Sequence, residues 1–106
     1  MSNDGLVELK ADAVTYYSAR DEYAFFDWLG KMVCVKNHYG KGTELYIVVD
    51  RAAVSQGELL DLIAFFYRYN MSMAQLREFD VPEFSGWFRR NDAYWNSRVF
   101  GGVDAP

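Results

Sequence analysis

The side chains best suited to chemistry are Cys34 and His38, the only thiol and the only imidazole in the chain. A nucleophilic site would pair them and orient the imidazole with an acid such as Asp50. Their spacing argues against it. Four residues apart on an extended segment, they share a face but stand about 13 Å apart along it, too far for contact without a bend. Cys34 lies in the apolar run Met32-Val33-Cys34-Val35, where a reduced, buried thiol is the ordinary role. With no second cysteine the chain has no internal disulfide. One histidine and one cysteine do not complete a closed zinc site, and the acids lack the spacing of a calcium loop.

Gly40-Lys41-Gly42-Thr43 resembles a fragment of a phosphate loop. It joins two strand-like runs rather than a strand and a helix, so a hairpin turn is the better reading. Trp87-Phe88-Arg89-Arg90 and Arg98 combine rings with guanidinium groups, the ingredients for stacking on nucleic-acid bases. The chain, however, carries 15 Asp+Glu against 11 Lys+Arg, a net charge of −4. Neither half is basic, whereas a phosphate-backbone binder relies on a positive surface. Ion pairs from the arginines to Glu78, Asp80, Glu83 or Asp92 are expected instead. Asp21-Glu22, Asp61, Asp80 and Glu83 all have explanations at helix starts or on solvated faces. The sequence thus assigns no catalytic residue, no cofactor and no metal ligand, and an enzyme is the least supported class.

The elements that would position a site follow from periodicity. Val7, Leu9, Ala11 and Ala13 alternate with polar residues, the mark of a half-buried strand. Val14-Thr15-Tyr16-Tyr17 then predicts a bulge or a second short strand. Ser18 with Asp21 and Glu22 starts a helix over 20–30, with Gly30 at its C′ position. Met32–Asn37 and Thr43–Asp50 form a hairpin around Gly40 and Gly42, and Tyr46 and Val48 suggest that both faces of the second strand are covered. Ser55-Gln56-Gly57-Glu58 is a capping box opening a helix over 56–69 with a Leu59, Leu62, Ile63, Phe66 stripe, widened by Leu60, Ala64 and Tyr67. Ser72–Gln75 reads as a second box, Asp80–Glu83 as a third start, and Asn91 or Asp92 as the cap of a final turn through Trp95 and Val99 to Gly101-Gly102.

The predicted order is strand, helix, hairpin, helices. The class is α+β, with a small antiparallel sheet of strand plus hairpin against four or five helices. A chain of 106 residues makes one domain, 1–106, with 1–5 and 102–106 as frayed tails. The apolar fraction is 51% and 18% of residues are aromatic, which excludes a disordered chain. No apolar run approaches the roughly 20 residues of a membrane helix. Met1-Ser2-Asn3-Asp4-Gly5 has no basic and apolar leader, so a cytoplasmic location is expected. The run Phe65-Phe66-Tyr67-Arg68-Tyr69 is the most informative, because one helix face cannot bury successive rings. Part of it meets a second layer, either neighbouring elements or a partner.

Several segments together resemble small bacterial immunity proteins, specifically the immunity partners of contact-dependent growth inhibition toxins. They are Asp21-Glu22 with Phe25-Phe26-Asp27-Trp28-Leu29, the strand Gly42–Val49, the helix Leu59–Asn70 with Met73 and Gln75-Leu76, and the ending Trp87-Phe88, Tyr94-Trp95 and Val99-Phe100-Gly101. The likeness spans about residues 7–101. It implies a protein without chemistry of its own, which binds a toxin domain tightly and blocks its active site or its substrate. Against a nuclease, with a positive cleft, an acidic inhibitor gains steering and complementarity. The expected contacts are Asp50, Glu58 and Asp61 around the hairpin end and helix start, and Glu78, Asp80 and Glu83 with the neighbouring Tyr69 and Trp87. Two other readings stand beside it: a different small acidic inhibitor or adaptor, and a nucleic-acid-binding module using Trp87 to Arg90 and Arg98.

Overall fold

The computed structural model describes residues 5–12 and 14–101. Ala13 and the expected tails, apart from Gly5, lie outside the described residues. The first strand, β1 (Leu6–Ala11), alternates exposed and buried side chains as its sequence alternates polar and apolar ones. It is followed by helix α1 (Ala19–Lys31), strands β2 (Val35–Lys41) and β3 (Glu44–Asp50), and a 3-10 turn at Arg51–Ala53. Helix α2 (Gln56–Arg68), a 3-10 helix at Ala74–Phe79, helix α3 (Pro82–Phe88) and a π turn at Ser97–Gly101 complete the chain. The architecture is α+β, with an antiparallel sheet ordered β1-β3-β2. The expected four or five helices resolve into three α-helices and shorter 3-10 and π segments among the described residues. No helix among them is long and apolar enough to cross a membrane.

Register explains which face is buried. Val7 pairs with Val49, Leu9 with Ile47 and Ala11 with Leu45, so the apolar residues of both strands project to the same side. The other face carries Glu8 and Lys10 opposite Val48 and Tyr46. Contrary to expectation it is partly open to water, with Leu6 and Tyr39 exposed. It is held by polar cross-strand contacts: Tyr39 stacks on Tyr46 with ring centroids 5.3 Å apart, its hydroxyl donates to Glu8, and Lys10 Nζ lies 2.9 Å from Glu44 Oε1.

The hairpin is shifted from its predicted register. Met32 and Cys34 are buried in the core; Cys34 O still accepts from Asp50 N at 2.8 Å, but β2 itself runs from Val35 to Lys41. Its turn is the two-residue Gly42-Thr43, closed by Lys41 opposite Glu44. Gly42 has φ 65°, the left-handed backbone that a type II′ turn places at its first central residue. The bulge or second short strand expected at Val14–Tyr17 does not form, since 14–17 is neither strand nor helix; a separate register shift lies in β2 between Val35 and Asn37. Gly30 lies inside α1, which ends when Met32 turns extended.

Leu59, Leu62, Ile63 and Phe66 of α2 are fully buried, as the stripe requires, but Phe65 is buried too, whereas Leu60 and Tyr67 are exposed. The reason lies in α1. Phe65 packs 4.8 Å from Phe25 and 5.1 Å from Trp28, so α2 buries one flank on α1 as well as its stripe. Each such ring stabilises by about 1.5–3 kcal/mol through burial, and each favourable ring pair adds roughly 0.5–1.5 kcal/mol. The outer flank of α2 is left to Tyr67.

The C-terminal caps also depart from their predicted forms. Gln75 does not close a box with Ser72. Its side chain accepts from Lys10 N and donates to Lys10 O, both at 2.8 Å, so it pairs like a strand with the open edge of β1. Pro82 begins α3 after Val81, while Asp80 is drawn to Arg89. Arg77 Nε donates to Val99 O at 2.7 Å, tying the 3-10 helix to the π turn.

Candidate partner-binding groove

Helix α2 ends in a backbone device that shapes the surface around it. Asn70 takes φ 58°, a left-handed conformation that asparagine tolerates better than most residues. Met71 N donates to Phe66 O at 2.9 Å and Asn70 N to Tyr67 O at 3.2 Å, the paired bonds of a Schellman motif. The chain therefore leaves the helix sharply. Arg98 then reaches back: it donates to Asn70 Oδ1 at 3.1 Å and lies 4.5 Å above the Tyr67 ring, a cation–π contact of about 0.5–1 kcal/mol at an exposed site.

Facing this end is the first turn of α1. Ser18 caps it, accepting from Asp21 N at 3.1 Å, while Asp21 Oδ2 accepts from Tyr17 N at 2.9 Å. These bonds fix the carboxylate and the tyrosine together. Between the two helix ends lies a groove of about 650 Å³, lined by Tyr17, Asp21, Trp28, Tyr67, Tyr69 and Tyr94 with Arg68 and Asn70. Tyr17 is 87% exposed, Tyr94 52% and Tyr67 40%. Tyr94 meets Tyr67 edge-on at 4.9 Å and is backed by Trp95 at 5.1 Å, whose indole donates to Phe88 O at 2.8 Å. The rims are thus held from below while their outer faces remain in water. Burial, and next the Asp21 carboxylate, hold the Tyr69 hydroxyl above its usual 10.0; the Arg68 charge opposes them. Burial likewise raises Tyr94.

The acids expected to face a partner are mostly engaged within the fold. Asp50 caps the 3-10 turn, accepting from Ala52 N at 3.0 Å. Ser55 accepts from Glu58 N at 3.2 Å, but the Glu58 carboxylate does not return to complete the box; it accepts from Cys34 N at 2.9 Å. Glu78 takes Arg51 at 2.6 Å. Asp80 receives Arg89 through both Nε and Nη2, the shortest contact being 2.6 Å. Asp61 and Glu83 are exposed and make no ion pair among the described residues. Trp87 is half-buried against Phe84, Phe88 and Trp95. Tyr69 alone of the expected residues lines the groove, and it also packs 4.9 Å from Phe25.

The arginines of the nucleic-acid reading are similarly engaged. Arg89 pairs with Asp80, Arg90 with Asp92 at 3.0 Å, and Arg98 with Tyr67 and Asn70. The side-chain hydrogen bonds, and next the mutual charges, push Arg89 and Arg90 higher and hold Asp92 below the ordinary carboxylate value. Cys34 and His38 do not form a site. Cys34 is buried, and burial followed by the Glu58 carboxylate pushes its thiol up to about 12, the reverse of what activates a nucleophile. His38 is exposed beside Phe26. Among the described residues no group of acids, histidine and cysteine is arranged to hold a metal ion.

Not legible in the sequence is the meeting of Asp21, Tyr17 and Trp28 with Tyr67 and Tyr94 in one groove. Its signal was the surplus of consecutive rings at 65–69, which pointed to a second layer but not to its location. Compared with family models, with curated proteins and with the solved structures, the chain matches none of them.

Proposed function

We propose that the chain is an immunity protein, which neutralises a cognate bacterial toxin by stoichiometric binding in the cytoplasm and blocks its active site or its substrate's access. The toxin domain is a nuclease, whose positive cleft suits an inhibitor of net charge −4. The observation that supports this reading best is the groove between α1 and α2. Exposed tyrosines on a rigid base are the residue type enriched at the centres of protein interfaces. Tyr67, on α2, and Tyr94, in the turn before the π segment, pack on each other and on Trp95. Asp61 and Glu83, in no ion pair among the described residues, add negative charge of the kind that speeds encounter with a basic partner.

The alternative of a nucleic-acid-binding module loses support, because Arg89 and Arg90 already pair with carboxylates in this fold. Co-expression with the product of the neighbouring toxin gene tests the proposal. A one-to-one complex on co-purification, and survival of cells producing the toxin, are the expected results. A soluble chain that neither binds that product nor protects the cells removes the reading.

A further inference from the structure

We infer that the groove between the first turn of α1 and the last turn of α2 is a receptor for a single basic side chain, arginine or lysine, presented by the protein partner. This rests on the proposed function for the partner's identity, but not for the chemistry of the groove. Tyrosine and tryptophan faces carry negative potential and attract cations. Tyr17, Trp28, Tyr67 and Tyr94 bring four such rings to one concavity. The fold itself uses this attraction at the rim, where the Arg98 guanidinium lies 4.5 Å above Tyr67.

The carboxylate supplies the second half of the argument. Asp21 is the acidic residue lining the groove. It is held in place by Tyr17 N and makes no ion pair among the described residues. A carboxylate fixed by neutral donors, Tyr17 N and the Tyr69 hydroxyl, and half-sheltered beside aromatic rings keeps its charge for a charged donor. Arg68 also lines the groove and opposes a cation. At the Tyr69 hydroxyl the Asp21 carboxylate acts more strongly than the Arg68 charge. A nuclease's substrate cleft is rich in arginine and lysine. A groove that takes one of them therefore turns general charge attraction into a specific anchor.

Two arms test the inference. In the first, capped glycine–serine pentapeptides with one central arginine, lysine or glutamate are titrated into the isotope-labelled full chain by NMR. The arginine and lysine peptides are expected to shift resonances of Tyr17, Trp28 and Tyr94, and Asp21→Asn to abolish most of that shift. Shifts from the glutamate peptide alone, or no shift at the groove from any of them, overturn the inference. In the second arm, Tyr94→Ala and Asp21→Asn each weaken the purified toxin complex by about tenfold or more, while Glu83→Gln changes it by less than about twofold. A complex formed with undiminished affinity by both groove variants overturns the inference and leaves the immunity reading standing. Groove shifts with the basic peptides but no toxin complex remove the immunity reading and support the groove's chemistry. Circular dichroism of each variant confirms that the fold is retained.

Discussion

The two ends of helix α2 dispose of their polar groups in opposite ways. At its start, Ser55 caps the helix and the Glu58 carboxylate, which looks available in sequence, is bound to the backbone amide of Cys34. At its end, Asn70 turns the chain away, and Tyr67 and Arg68 are left exposed beside the groove. One end closes the core and the other opens a surface. The difference teaches that a polar or aromatic residue is free for a partner only when the backbone around it is already satisfied. At the start a bare amide needed the acid; at the end the Schellman bonds had satisfied the backbone within the helix.

The largest test of this contrast compares neighbours within the same turn. Phe65 is fully buried between α1 and the core, whereas Tyr67 is 40% exposed. Phe65→Ala is expected to cost about 3–5 kcal/mol of folding free energy. Tyr67→Ala should cost about 1 kcal/mol or less, through loss of the Arg98 and Tyr94 contacts. Urea unfolding followed by circular dichroism measures both. Equal losses would mean that the groove end is as closed as the core.

At the other end, Glu58→Ala leaves the part-buried Cys34 amide without its acceptor. The expected cost is about 1–3 kcal/mol, read from the same urea curves. Asp61→Asn, one turn on and exposed, is the matched control. The thiol gives this end a pH signature. Its value is raised in the fold from an ordinary 9.0 to about 12, so folding favours the protonated form. The stability it contributes is complete below 9.0 and is lost as pH rises toward 12. Tyr16 and Tyr69 are raised as well and act in the same direction. The alkaline loss should therefore shrink, but not vanish, in Cys34→Ala; an unchanged profile would show that the thiol takes no part.

These same residues mark how far sequence reasoning reaches. The class, the strand alternation at Val7, Leu9 and Ala11, and the span of α2 were legible because each depends on a local period. The stripe Leu59, Leu62, Ile63 and Phe66 is buried as its spacing requires. Long-range demands on polar groups were not legible. Nothing near Glu58 announces that Cys34 needs an acceptor, and nothing near Gln75 announces the bare edge of β1. The groove was half legible: the ring run at 65–69 required a second layer, but Phe65 and Phe66 found theirs in the fold while Tyr67 did not. Asp21 read as a first-turn acid, which it is; its place in one groove with Tyr94 follows only from how the helices pack.

A smaller effect is expected at Asn70. Its φ of 58° strains a residue with a Cβ, and asparagine bears that strain better than alanine because its short polar side chain finds a local partner. Asn70→Ala should lose about 1 kcal/mol, since it also removes the acceptor of Arg98. Asn70→Gly relieves the backbone but still lacks the acceptor for Arg98, so it should fall between alanine and the native residue. An alanine variant as stable as the native chain would show that the turn does not depend on this conformation.

The smallest stability effect belongs to Tyr17, and it is the one that separates a surface made by accident from one kept for contact. At 87% exposure its ring contributes almost nothing to the core, while its backbone amide is what holds Asp21. Tyr17→Ala preserves that amide and removes only the ring. Thermal unfolding should therefore change by no more than about 0.5 kcal/mol. A larger loss would place the ring in the packing of the first turn and close the groove to a partner. An unchanged melting curve leaves the ring outside the packing of the fold and free for contact with a partner.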